Sequence, residues 1–213
     1  MRSRSVSLPC VITTVLASLS MLAGRGAAAD ATTDCRTQAA GVREALETVA
    51  ESVIDGRPAR VPAAVKRATG SWVAHRETFS ETAGMDSLMN LLDATSRRRA
   101  ANAAAGLAVQ AAVASFRWCP GEATLDDRLF LIDLTGMAAW LRTRGVRIAW
   151  PPDVHGATEA VASELDRRKR GPLAVRLRSR VAAVLTTRER PGGDPRSANQ
   201  LLALVDDIEK ALR

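Results

Sequence analysis

Apolar residues recur three and four positions apart along most of this chain, and nowhere do they alternate as a strand requires. Ala39, Val42, Leu46, Val49 and Val53 predict a first helix from about Cys35 to Ile54, stopped by DGRP at 55–58. A second helix carries Val61, Val65, Ala68, Trp72, His75 and Phe79 on one stripe, tolerates Pro62 in its first turn and ends near Gly84. The longest apolar seam passes through Leu88, Leu92, Thr95, Arg99, Asn102, Gly106, Val109, Val113 and Phe116. It predicts one central helix over about 85–118, roughly 50 Å long at 1.5 Å per residue.

Thr124 with Asp127 reads as a capping box opening a fourth helix. That helix is apolar on two adjoining stripes, one through Leu129 and Ile132 and one through Phe130 and Met137, so it should be the most buried. Pro151 and Pro152 make 145–156 an extended connector. Helical patterns resume over about 157–170, 172–189 and 195–212, the last capped by Asp194. The expected fold is therefore all-α: an antiparallel bundle of about six helices in one domain over 30–213. Its core would be 35–146 and its C-terminal helical part 155–213.

The first residues change the picture of where this bundle works. Arg2 and Arg4 precede an apolar run from Val6 to Leu22, and Ala27-Ala28-Ala29 supplies the small residues a signal peptidase accepts. Residues 1–29 read as a cleaved secretory signal, which places the mature chain in the periplasm or outside the cell. The apolar run, broken by Pro9, is short for a membrane span, and no later segment approaches one. The full chain has 30 Lys and Arg against 23 Asp and Glu; losing Arg2, Arg4 and Arg25 leaves 27 against 23, a net +4. That surplus is too mild for a nucleic-acid binder.

Cys10 leaves with the signal, so Cys35 and Cys119 remain as an even pair in an oxidising compartment and predict one disulfide. With three predicted helices between them, the two cysteines meet only if the first two helices run in line as a bent rod beside the third.

No HExxH, CxxC, GxSxG or phosphate-binding glycine loop is present, so no catalytic residue and no cofactor is implied. His75 is the one weak candidate for a metal or haem ligand. The best candidates for a ligand site are Arg98 and Arg99, with Asn102 and Gln110 as orienting hydrogen bonders. A guanidinium on the seam must find a strong acceptor: Asp93, Asp126 or Asp133 within the molecule, or an anionic small molecule. A second basic concentration, Arg167, Arg168, Lys169, Arg170, Arg176 and Arg180, suits either a solvated outer face or an anionic envelope polymer or lipid surface. Trp150, beside the two prolines, either anchors a partner or folds back over the end of the bundle.

The stretch LMNLLDATSRRRAANAAAGLAVQAAVASFRW, residues 88–118, resembles the first helix of the secreted all-helical chorismate mutases, with Arg98 in the place of their arginine. The lysine of that pattern is absent here. The resemblance implies a small helical enzyme or binder for a carboxylate-bearing anion. The residues by themselves favour an exported bundle that binds or scaffolds in the cell envelope without catalysis, its partner an envelope protein or an anionic molecule.

Overall fold

The computed structural model describes the backbone of residues 12–213 except 81 and 188–192, and side chains from residue 33 onward. Of the expected signal segment 1–29, residues 1–11 lie outside the described residues, and only the backbone of 12–29 is described. Among those described there are eight α-helices and no strand: α1 (Ile12–Ile54), α2 (Val61–His75), α3 (Met85–Arg97), α4 (Ala101–Ala114), α5 (Leu125–Thr143), α6 (Val154–Arg167), α7 (Gly171–Thr186) and α8 (Pro195–Leu212). α1 passes through Cys35 rather than starting there.

The first four helices pack in a ring, each against the next, with α4 closing on α1; α5 to α8 form a second ring in the same way. α5 joins the two by resting on both α4 and α1, and one apolar core runs through both rings. As its two stripes predict, α5 is the most buried helix: every residue from Leu131 to Leu141 is buried. Its capping box is present, with Thr124 Oγ1 accepting from the Asp127 amide and Asp127 accepting from the Thr124 amide. Gly136 matters to this packing. A Cβ there would lie 2.7 Å from Leu202 Cδ2, so the bare backbone lets α8 settle close against α5.

The expected central helix over 85–118 is two helices, and the break falls on the arginines. Arg97 ends α3, Arg98 caps it, and Arg99 takes the left-handed conformation at φ 56° before α4 starts at Ala101. The Arg99 amide donates to the Ser96 carbonyl and the Ala100 amide to Thr95, the paired bonds of a Schellman motif. The same two bonds end α6, with Lys169 at φ 60°, and they end α1 and α5 with Gly56 and Gly145 at the same place. In the two basic turns, cations crowd the carbonyl end of a helix, where its dipole favours them.

This break also corrects the predicted bent rod. With α3 and α4 as a hairpin, four helices separate the cysteines instead of three. An up-down-up-down ring then returns the end of α4 to the pole where Cys35 sits, and α1 and α2 pack side by side. Cys35 and Cys119 are bonded there, Sγ to Sγ 2.05 Å. Trp72, Phe79 and Trp118 stack beneath them with ring centroids 4.7–5.9 Å apart. Trp72 Nε1 donates to Asp86 at 2.7 Å, and Ser80 donates through both its amide and its hydroxyl to the Trp118 carbonyl.

Candidate functional site

α1 and α8 both rest on α5, and a cleft of about 420 Å³ opens between them. Each helix turns acids into it: α1 contributes Glu47 and Glu51, with Asp55 just past its end continuing the i, i+4, i+8 spacing; α5 contributes Asp126 and Asp133; α8 contributes Asp206 and Glu209. Ile54, Leu129, Phe130, Met137, Leu202 and Val205 complete the wall, and no basic residue lines it. In a chain with 30 Lys and Arg, that is a strong local inversion of charge. Among the described residues only Glu209 of the seven forms an ion pair, with Arg213.

Asp133 forms the floor. It is only 8 % exposed, and no N–H or O–H of a described residue outside the cleft donates to its carboxyl. Its neighbour is the carboxyl of Glu47, half-buried on the facing helix. Two carboxyls in this position cannot both ionise cheaply, which favours a proton held between them. Burial, and then the charge of Asp133, push Glu47 up to about 9. Burial, with Glu51, Asp206 and Glu209 behind it, pushes Asp133 up to about 7 even though its hydrogen bond with Glu47 acts the other way. Glu51 is raised too, by burial and by Asp55 and Asp206.

Raised carboxyl values mean that the folded state binds more protons than the unfolded state between about pH 4.5 and 9, so stability falls as pH rises through that window. Thermal melts at constant ionic strength should lose roughly 5 °C from pH 5 to pH 9, corresponding to about 2 kcal/mol in a chain of this size. Asp133→Asn should flatten the profile; a melt independent of pH in the unaltered protein would rule the shared proton out.

Next to Glu47, one turn earlier on α1, Arg43 ties α1 to the turn after α4 and to the first turn of α5. Its side chain is 12 % exposed and that of its ion-pair partner Asp127 15 %. Nε donates to Ser115 Oγ at 2.7 Å, Nη2 donates to the Ser115 carbonyl, and the guanidinium lies 4.5 Å from the centre of the Phe116 ring. Asp127 is lowered despite its burial, by the Thr124 amide and by Arg43. Arg43 is therefore committed to structure and leaves the acids of the cleft uncompensated.

The residues singled out from the sequence are dispersed. Arg97, Arg98 and Arg99 are all exposed at the α3–α4 turn, and Arg97 pairs with Asp93. Arg99 faces an open hollow with Lys66 and Asn90. Asn102 and Gln110 lie in a different groove, where Thr95, Arg144 and Arg147 join them. The seam that would have turned Arg99 inward is lost with the helix break, and Arg98 no longer sits within a helix as the resemblance implies. Neither Asp126 nor Asp133 meets an arginine among the described residues.

The second basic concentration is partly spoken for. Arg167 and Arg168 grip Glu164, while Arg178 bridges Glu159 and Asp166 across α6 and α7. Arg176 is exposed and Arg180 half-buried, with no ion pair among the described residues, and Lys169 and Arg170 form the turn. His75 closes α2, half-buried, and no three His, Cys, Asp or Glu side chains among the described residues converge well enough to hold a metal ion. Trp150 folds back onto the core, with the Arg142 guanidinium 5.6 Å from the centre of its ring.

Sequence reasoning missed the cleft and Arg43. The i, i+4, i+8 acidic stripe was readable in Glu47, Glu51 and Asp55, but its convergence with α5 and α8 was not. Compared with known proteins, the chain matches no family model, no curated protein and no solved structure.

Proposed function

We propose that this chain is exported and acts in the cell envelope by binding, with the acidic cleft between α1, α5 and α8 as its ligand site and a cation as its ligand. Export rests on the signal-like first 29 residues, on the Cys35–Cys119 bond, which suits an oxidising compartment, and on the fact that no described helix is long and apolar enough to cross a membrane. The observation that carries the ligand assignment is Asp133: a carboxyl buried in an all-acid cleft with no donor from outside it. Asp133 is buried and Glu47 half-buried while the other five acids are exposed, and a buried carboxyl among acids needs a proton or a cation to offset repulsion and desolvation.

Thermal-shift measurements test the reading. Organic and inorganic cations should raise the melting temperature at pH 8, and di- and tricarboxylates should not. N-terminal sequencing of protein recovered from the periplasm should begin at Asp30. Stabilisation by carboxylates alone would favour a second reading. In that reading Asn102 and Gln110, gathered with Arg144 and Arg147 in one groove of about 460 Å³, hold a carboxylate-bearing anion.

A further inference from the structure

We infer that the hollow of about 650 Å³ between α2 and the end of α3 takes a dianionic phosphate group, inorganic or carried as a monoester, held by Lys66, Ser96 and Arg99. It is separate from the acidic cleft between α1, α5 and α8 and does not depend on the cation reading.

The residue that points to a ligand is Ser96. Among the described residues the other buried hydroxyls, those of Ser52, Ser115, Thr135, Thr158 and Thr187, each donate to a backbone carbonyl three or four residues earlier. That bond is the usual outlet for a helical serine or threonine. Ser96 is 4 % exposed and lines the hollow, yet its hydroxyl bonds to no described residue. A buried hydroxyl left without a partner is costly, and an anion entering the hollow would supply one.

The charge of the hollow suits a dianion. Lys66 comes from α2, Arg97 from the end of α3 and Arg99 from the turn before α4. Asp93 is the one acid among the described residues of the wall, and Arg97 is paired with it. Lys66 and Arg99 have no ion pair among the described residues, which leaves the wall at a net +2. The carbonyls ending α3 would oppose an anion, but those of residues 94, 95 and 96 accept from the amides of 98, 100 and 99. The same left-handed turn brings Arg99 to the hollow.

Geometry favours phosphate over carboxylate. A carboxylate has two oxygens in one plane, and a single guanidinium fork satisfies it. A phosphate group has three or more oxygens pointing apart, which suits donors arriving from different elements. Here these are the Lys66 ammonium, the Ser96 hydroxyl and the Arg99 guanidinium. Asn90, exposed on α3, lines the same hollow and adds an amide donor. The volume is that of a small-molecule site, with room for the rest of an ester.

Isothermal titration of the purified, oxidised protein at pH 7.5 and constant ionic strength tests this, with inorganic phosphate, glycerol 3-phosphate and acetate as probes. Both phosphates should bind saturably and at least about tenfold more tightly than acetate. Ser96→Ala and Arg99→Gly should each weaken them by about tenfold. Without phosphate, neither variant should melt lower than the unaltered protein. Ser96→Ala removes a hydroxyl that has no partner, and glycine takes the φ of 56° at residue 99 without strain. Vesicles of phosphatidylcholine with and without phosphatidic acid, whose headgroup is a phosphate monoester, identify the source. Sedimentation with phosphatidic acid that Arg99→Gly abolishes upholds the site and places the phosphate on a lipid. Binding of glycerol 3-phosphate without sedimentation upholds it and places the phosphate on a soluble ester. Acetate binding as tightly as phosphate, no saturable phosphate binding, or two variants that bind as the unaltered protein does would each overturn the inference. So would a Ser96→Ala protein that melts several degrees lower, because its hydroxyl would then have a structural bond.

Discussion

Breaking the Cys35–Cys119 bond, by reduction or by replacing both cysteines with alanine, should lower stability by about 4 kcal/mol. The bridge closes a segment with a sequence separation of 84, so its loss frees a large part of the unfolded chain. In a chain of this size that corresponds to a fall in melting temperature of roughly 8–16 °C. It is also a sizeable part of the 5–15 kcal/mol that holds a typical domain together. The helices should survive at 25 °C, so far-ultraviolet circular dichroism should hardly change. The near-ultraviolet signal should weaken, because Trp72, Phe79 and Trp118 pack directly beneath the bridge. A loss of under about 1 kcal/mol would mean that the ring of α1 to α4 already holds this pole closed without the sulfur bond.

Replacing Arg43 by methionine should cost about 3 kcal/mol in chemical denaturation at pH 7. Methionine keeps much of the packing against Phe116, so the cost comes mainly from Asp127, left nearly buried with its charge unpaired. Asp127 retains the Thr124 amide and hydroxyl, which limits the damage. The double variant Arg43→Met with Asp127→Asn should therefore lose less than the sum of its parts. The sign with pH is definite. Asp127 is lowered in the fold, so its contribution is present above its ordinary carboxylate range and disappears as pH falls through its folded value. That is the opposite of the Glu47–Asp133 pair, whose contribution disappears as pH rises. The two sets of acids are separable by pH alone. Purely additive single and double variants would show that Arg43 and Asp127 do not act as a pair.

Local rules accounted for most of the elements. The 3.6-residue apolar period, the prolines at 62 and 195, the Thr124–Asp127 capping box and the Asp194 cap all act within a few residues of themselves, so they can be read without knowing what packs where. Helix ends at Gly56 and Gly145 were legible for the same reason: glycine adopts φ > 0 without steric cost. The ends at Arg99 and Lys169 follow the same Schellman geometry with residues that do not advertise it. The left-handed turn costs a non-glycine residue on the order of 1 kcal/mol, and a continuous helix through 97–101 violates no local rule.

The price of that turn is met by tertiary burial. Folding α3 back on α4 buries Ala104, Ala105, Ala108, Val109, Ala111 and Ala112 among neighbouring helices, where their small size permits close approach. From this one break follow the four-helix parity that joins the cysteines, the exposure of Arg98 and Arg99, and the separation of Arg99 from Asn102 and Gln110 into different hollows.

The sequence by itself determined an all-helical chain, the approximate limits of most helices and the two cysteines able to pair, because each depends on local period, local caps or a count. Only the tertiary structure decided which acids share a cleft. Glu47, Asp133 and Glu209 lie on three helices scattered along the chain. Their proximity comes from α1 and α8 being laid on α5, driven by apolar burial that is indifferent to the charges it brings together.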